Sequence, residues 1–153
     1  MPGYKGHLAG GVVIYFIAFY VMTFYIAPTF LTGLEWLLFT LAGALFPDVD
    51  VKSRGQNYFY WIVLCLLILL ITLHRWKIVA LTSILATIPL LVRHRGIFHR
   101  AWFVVMIPLT AAGVLSSYVP QHSMRMWIDA LFFTVGALSH LWLDLGLRKM
   151  FRW

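Results

Sequence analysis

The sequence predicts an all-α fold: a polytopic transmembrane helical bundle of about six spans with both termini cytoplasmic. Residues 1–153 would form a single integral membrane domain. Three observations predict this. Hydrophobic residues make up 62% of the chain and charged residues 11%, against roughly 45–50% and about 25% in ordinary soluble domains. The apolar residues fall in six continuous runs, near the length of about 20 residues that a membrane span needs. The basic residues are shared unequally between the two sets of connections.

The first run, residues 8–27, is a full span that follows Lys5. It is longer than the apolar stretch of a signal peptide and no A-x-A-like cleavage site follows, so it reads as a retained helix. Residues 29–46 form the second run, broken only by Glu35 near its start. Residues 58–73 and 78–92 form a pair separated by His74-Arg75-Trp76-Lys77. Both are slightly short, so flanking residues or local thinning must complete them. Residues 101–119 are the fifth run and 126–147 the sixth, the latter carrying Asp129, His140 and Asp144. The runs are continuous rather than alternating, which argues against strands.

One side of the predicted membrane collects Lys5, Lys52, Arg54, Arg93, Arg95, Arg100, Arg148, Lys149 and Arg152; the other holds Arg75, Lys77 and Arg125. By the positive-inside rule the first side, with both chain ends, is cytoplasmic. The net charge of +7 then reads as contact with lipid headgroups, and no nucleic-acid partner is expected. The single cysteine, Cys65, lies inside an apolar run and rules out a disulfide scaffold.

In so apolar a chain each ionisable residue near a span is a functional candidate. On the outer side, Thr32-Gly33-Leu34-Glu35 reads as a capping box opening the second helix. Asp129 is expected in or near the first turn of the sixth helix, where the macrodipole favours an acid. His74 and His122 fall in loops. The cytoplasmic side gathers His7, Asp48, Asp50, His94, His99, His140 and Asp144 from four places in the chain. Its acids follow or end helices, where the partial negative charge disfavours them. Lys or Arg can offset that charge, and a divalent cation fits better because histidines accompany the acids. His140 and Asp144, four apart, share a helix face. Pro47 ends the second helix and leaves Asp48-x-Asp50 on a turn, and Gly96 lets the loop from His94 to His99 bend.

Four motifs occur in order: Gly6-His7-Leu8-Ala9-Gly10-Gly11, Pro47-Asp48-Val49-Asp50, His94-Arg95-Gly96-Ile97-Phe98-His99 and Ser139-His140-Leu141-Trp142-Leu143-Asp144. In this the chain resembles the YdjM-type family of inner-membrane metal-dependent hydrolases, some members of which are described as LexA-binding. The resemblance runs from His7 to Asp144 and implies that the same seven residues bind metal and support hydrolysis. The family pattern places hydroxyl residues around its second loop histidine and after its last aspartate; here Phe98, Arg100 and Leu145-Gly146-Leu147 stand there.

Seven residues exceed the four ligands of a closed zinc site, so one or two ions are expected, with the remaining groups in supporting or proton-transfer roles. The mixed His/carboxylate set suits zinc first, then manganese or iron. Asp50 or Asp144 is placed to take a proton, and Arg95 to clamp an anionic oxygen. A phosphoester or lipid-linked anionic substrate at the inner headgroup level follows from that basic surround. The alternative is a noncatalytic membrane protein that binds metal or a partner. A transporter is less well matched, since the polar cluster sits at one edge rather than the midplane.

Overall fold

The computed structural model describes residues 3–50, 54–74, 76–91 and 97–146, and all its regular structure is helical. Six helices follow in order: α1 (Tyr4–Thr23), α2 (Phe30–Leu45), α3 (Arg54–Thr72), α4 (Trp76–Leu91), α5 (Ala101–Tyr118) and α6 (Ser123–Leu145). Short 3₁₀ turns occupy Phe46–Asp50, Ile97–His99 and Pro120–His122. The six helices match the six apolar runs. Five stretches are long and apolar enough to cross a membrane. The exception is α4, whose 16 residues cover only about 24 Å at 1.5 Å per residue, less than the roughly 30 Å hydrocarbon core.

The bundle is built around α6, which packs against α2, α5 and α1. Its crossing with α2 is close because glycines face each other. A Cβ on Gly43 would overlap the Phe133 carbonyl, and one on Gly136 would overlap the Thr40 carbonyl. Without a hydrophobic drive between helices in lipid, such close approach supplies the packing energy. Away from the crossing, Trp36 stacks on Phe132 with centroids 4.8 Å apart, and Tyr15 donates its hydroxyl hydrogen to the Gly33 carbonyl at 2.8 Å. Hydroxyls buried in α2 and α6 are satisfied within their own helices: Thr40 donates to Trp36, Thr134 to Ala130 and Ser139 to Gly136. Helices α3 and α4 form a hairpin, tied by Tyr60 donating to the Ala86 carbonyl at 3.0 Å. The hairpin meets the other helices chiefly through the Phe46–Asp50 turn. Its exposed Trp61, Ile62, Ile68 and Leu69 present the apolar surface that lipid covers.

Two expectations about the outer acids need correction. Helix α2 starts a turn earlier than the proposed capping box: Thr29 is its N-cap, accepting from the Thr32 amide at 3.2 Å. Glu35 instead receives a bidentate hydrogen bond from Arg125, at 2.9 and 2.7 Å. Helix α6 begins at Ser123, so Asp129 lies nearly two turns inside it and is 8% exposed. A first-turn interaction with the helix dipole does not explain it.

Candidate metal centre

The turns and helix ends at one end of the bundle converge on a buried polar cluster. His7 stands in the first turn of α1. Asp48 lies in the 3₁₀ turn after α2, where Pro47 has no amide hydrogen to continue the helix. His99 closes the 3₁₀ turn that leads into α5. His140 and Asp144 occupy the last two turns of α6. His7, His99 and His140 are 2%, 6% and 0% exposed. Gly10 and Gly11 bring α1 in, since Cβ atoms there would meet Leu143 of α6 at 2.6 Å and Ala44 of α2 at 3.0 Å.

Asp48, His99, His140 and Asp144 each offer a ligand atom within 4.8 Å of all the others. His140 Nε2 is 3.5 Å from Asp48 Oδ1 and 3.7 Å from Asp144 Oδ2. His99 Nε2 is 3.8 Å and 4.0 Å from the same two atoms. Tetrahedral ligands about 2.1 Å from one ion stand roughly 3.4 Å apart, so small inward shifts seat a cation among the four.

The hydrogen bond behind His140 decides what the front of the ring can do. Its Nδ1 lies 2.7 Å from the Ala44 carbonyl, which can only accept, so Nδ1 carries the hydrogen. That carbonyl is available because α2 ends one residue later and leaves its last carbonyls without intrahelical partners. That leaves Nε2 on the other side of the ring, buried and 3.5 and 3.7 Å from the two carboxylates, where a cation would be shared by all three groups. A carbonyl fixing the tautomer of a ligating histidine is a recurrent feature of metal sites. Among the described residues, Asp144, whose side chain is 6% exposed, has His7, His99 and His140 within 4.0 Å and no Lys or Arg. The donor set therefore fits a divalent ion.

His7 stands beside this group of four. It stacks on His140 with centroids 3.7 Å apart and points Nε2 at Asp144 Oδ1, 3.3 Å away. Five of the seven expected ligands are thus brought together. Asp50 ends the 3₁₀ turn after α2, and its side chain lies outside the described residues, as do His94 and Arg95. Phe98, where the family pattern has a hydroxyl residue, is 3% exposed and packs edge-on against Phe46 and Phe103. It fills the core behind His99. Sequence reading missed the Ala44 carbonyl, which carries no side-chain signal, and Tyr4. The Tyr4 hydroxyl accepts from Arg54 at 2.9 Å, with the guanidinium 5.0 Å over its ring.

Residues 1–152 match the family described as YdjM inner membrane protein. Neither the curated proteins nor the solved structures include a significant match. The family match covers the four motifs, and five of the helical stretches are long and apolar enough for the membrane that its description names. This chain belongs to the YdjM family of inner membrane proteins.

Proposed function

We propose that this chain is a membrane-embedded metal-dependent hydrolase that works at the cytoplasmic face on a phosphoester or lipid-linked anionic substrate. The observation that carries the metal reading is the convergence of Asp48, His99, His140 and Asp144, whose ligand atoms all lie within 4.8 Å of one another, with His140 Nε2 buried between the two carboxylates. The cytoplasmic placement rests on the bias of Lys and Arg toward the connections at that end. A divalent ion, zinc foremost, would be held by Asp48, His99, His140 and Asp144, and would supply a Lewis acid for hydrolysis. His7 keeps Asp144 oriented through its Nε2. Asp50 accepts the proton of the attacking water, and Arg95 clamps an anionic substrate oxygen.

Arg54 adds to the anion preference. Tyr4, which holds it, is three residues before His7 on α1, so the two share a helix face. A noncatalytic metal-binding role is favoured by one feature: Phe98 and Arg100 replace hydroxyl residues of the family pattern, and Leu145-Gly146-Leu147 stand where it has another after its last aspartate.

The test is hydrolysis of a panel of phospholipids and lipid phosphates by purified protein, before and after chelation and metal restoration. Metal-restored cleavage of at least one anionic ester is expected. Arg54→Ala should then raise KM for that ester with little change in kcat and in bound metal. Absence of cleavage across the panel by metal-loaded protein would favour the noncatalytic reading. His7→Ala is expected to keep the metal but weaken it by about 10–100-fold, as loss of a residue that supports a ligand does. Chelator competition measures this.

A further inference from the structure

The α3–α4 hairpin supplies none of the four ligands, yet it reaches the turn that carries one of them. Among the described residues of α3 only Gly55, in the first turn, is buried. The Phe46–Asp50 turn is a junction, packed on α3, α4, α6 and the Ile97–His99 turn. Asp48 meets His99 and His140 there. A 3₁₀ turn holds its shape weakly, because its hydrogen bonds are poorly aligned. Burial of Pro47 and Val49 anchors two of its side chains, but apolar burial is non-directional and does not set the rotation of the peptide that follows Val49.

Gln56 supplies that restraint. Its Nε2 donates to the Val49 carbonyl at 3.0 Å, from a part-buried position. Gln56 is the third residue of α3, and side chains on a helix tilt toward its N-terminus. The amide is thereby aimed back at the turn that precedes the helix. A peptide unit is planar, so holding the Val49 carbonyl holds the Asp50 amide with it. This peptide lies between the two acids of Asp48-Val49-Asp50.

We propose that Gln56 is a positioning residue for the metal centre: from the hairpin, it braces the ligand turn so that Asp48 stays within ion-sharing distance of His99 and His140. The inference rests on the metal reading and extends it to a helix that carries no ligand. It also gives the hairpin a task beyond filling the membrane. Partners that orient a metal ligand from behind commonly act this way, setting affinity without touching the ion.

The test loads full-length protein in lipid nanodiscs with cobalt(II), whose visible absorption reports the geometry of its ligands. Gln56→Met keeps the length of the side chain and loses the amide. It should raise the cobalt dissociation constant by about 10–100-fold and alter the visible spectrum of the loaded protein. Gln56→Leu should repeat both effects, and size-exclusion elution of each variant reports an intact bundle. Tyr60→Phe is the control. It removes the hydrogen bond that ties α3 to α4 and should leave affinity and spectrum unchanged. Unaltered affinity and spectrum in Gln56→Met would overturn the proposal. So would equal losses in Gln56→Met and Tyr60→Phe, because the hairpin as a whole would then be responsible. Unmodified protein that takes up no cobalt or zinc would sink the metal reading itself, a failure visible before any variant is made.

Discussion

Replacing His140 with alanine is expected to leave the purified protein without stoichiometric metal. The imidazole is fully buried, its Nδ1 is locked onto the Ala44 carbonyl, and its Nε2 lies 3.5 and 3.7 Å from the two carboxylates. Removing it takes away one of four ligands and frees the two acids to repel one another. Asp48→Asn should do the same by a different route. The amide keeps the shape of the carboxylate and removes its charge, so a loss of metal cannot be put down to a cavity. Elemental analysis of protein purified without chelator reads both, against roughly one ion per chain in the unmodified protein. If metal stays stoichiometric in both variants, the ligand assignment is wrong.

The second large effect lies in the helix crossing that holds the centre together. Gly43→Ala and Gly136→Ala each put a methyl group into a backbone carbonyl of the facing helix. Backbone cannot swing aside as a side chain does, so the helices must separate. Overpacking of this kind costs about 1–3 kcal/mol and sometimes more. Gly136 is one turn before His140 and packs on Thr40 and Ala44. Moving it therefore also moves the Ala44 carbonyl away from His140, and metal affinity should fall together with stability. Thermal unfolding in detergent, with and without added metal, measures the pair. The two substitutions act on one crossing and should not be additive. Gly113→Ala is the control: its Cβ would meet only the Trp127 ring at 3.8 Å. It should be neutral or gain up to about 1 kcal/mol from helix propensity.

Much of this was legible in the sequence, for identifiable reasons. A membrane helix is announced by length and apolarity alone, so all six were readable. Boundaries were less so: α1 begins at Tyr4 rather than Leu8, because Tyr4-Lys5-Gly6-His7 looks like polar flank and yet forms a helical turn. That turn is what carries His7 into the cluster. The common end of the bundle shared by His7, Asp48, His99, His140 and Asp144 followed from counting spans. Local rules failed where the partner was distant. Glu35 fits a capping box in sequence, but its partner Arg125 is 90 residues away. The acceptor behind His140 is a main-chain carbonyl 96 residues away. Only the register of α2 against α6 reveals it, and the facing glycines set that register. Asp129 was explained by a helix start that lies further back than the apolar pattern suggests.

Anomalous X-ray scattering from metal-loaded crystals tests the centre most directly. The account predicts a peak at one end of the bundle, within about 2.0–2.2 Å of a nitrogen or oxygen from each of Asp48, His99, His140 and Asp144. A map with those four side chains in place and the ion bound elsewhere, or bound nowhere, would contradict it.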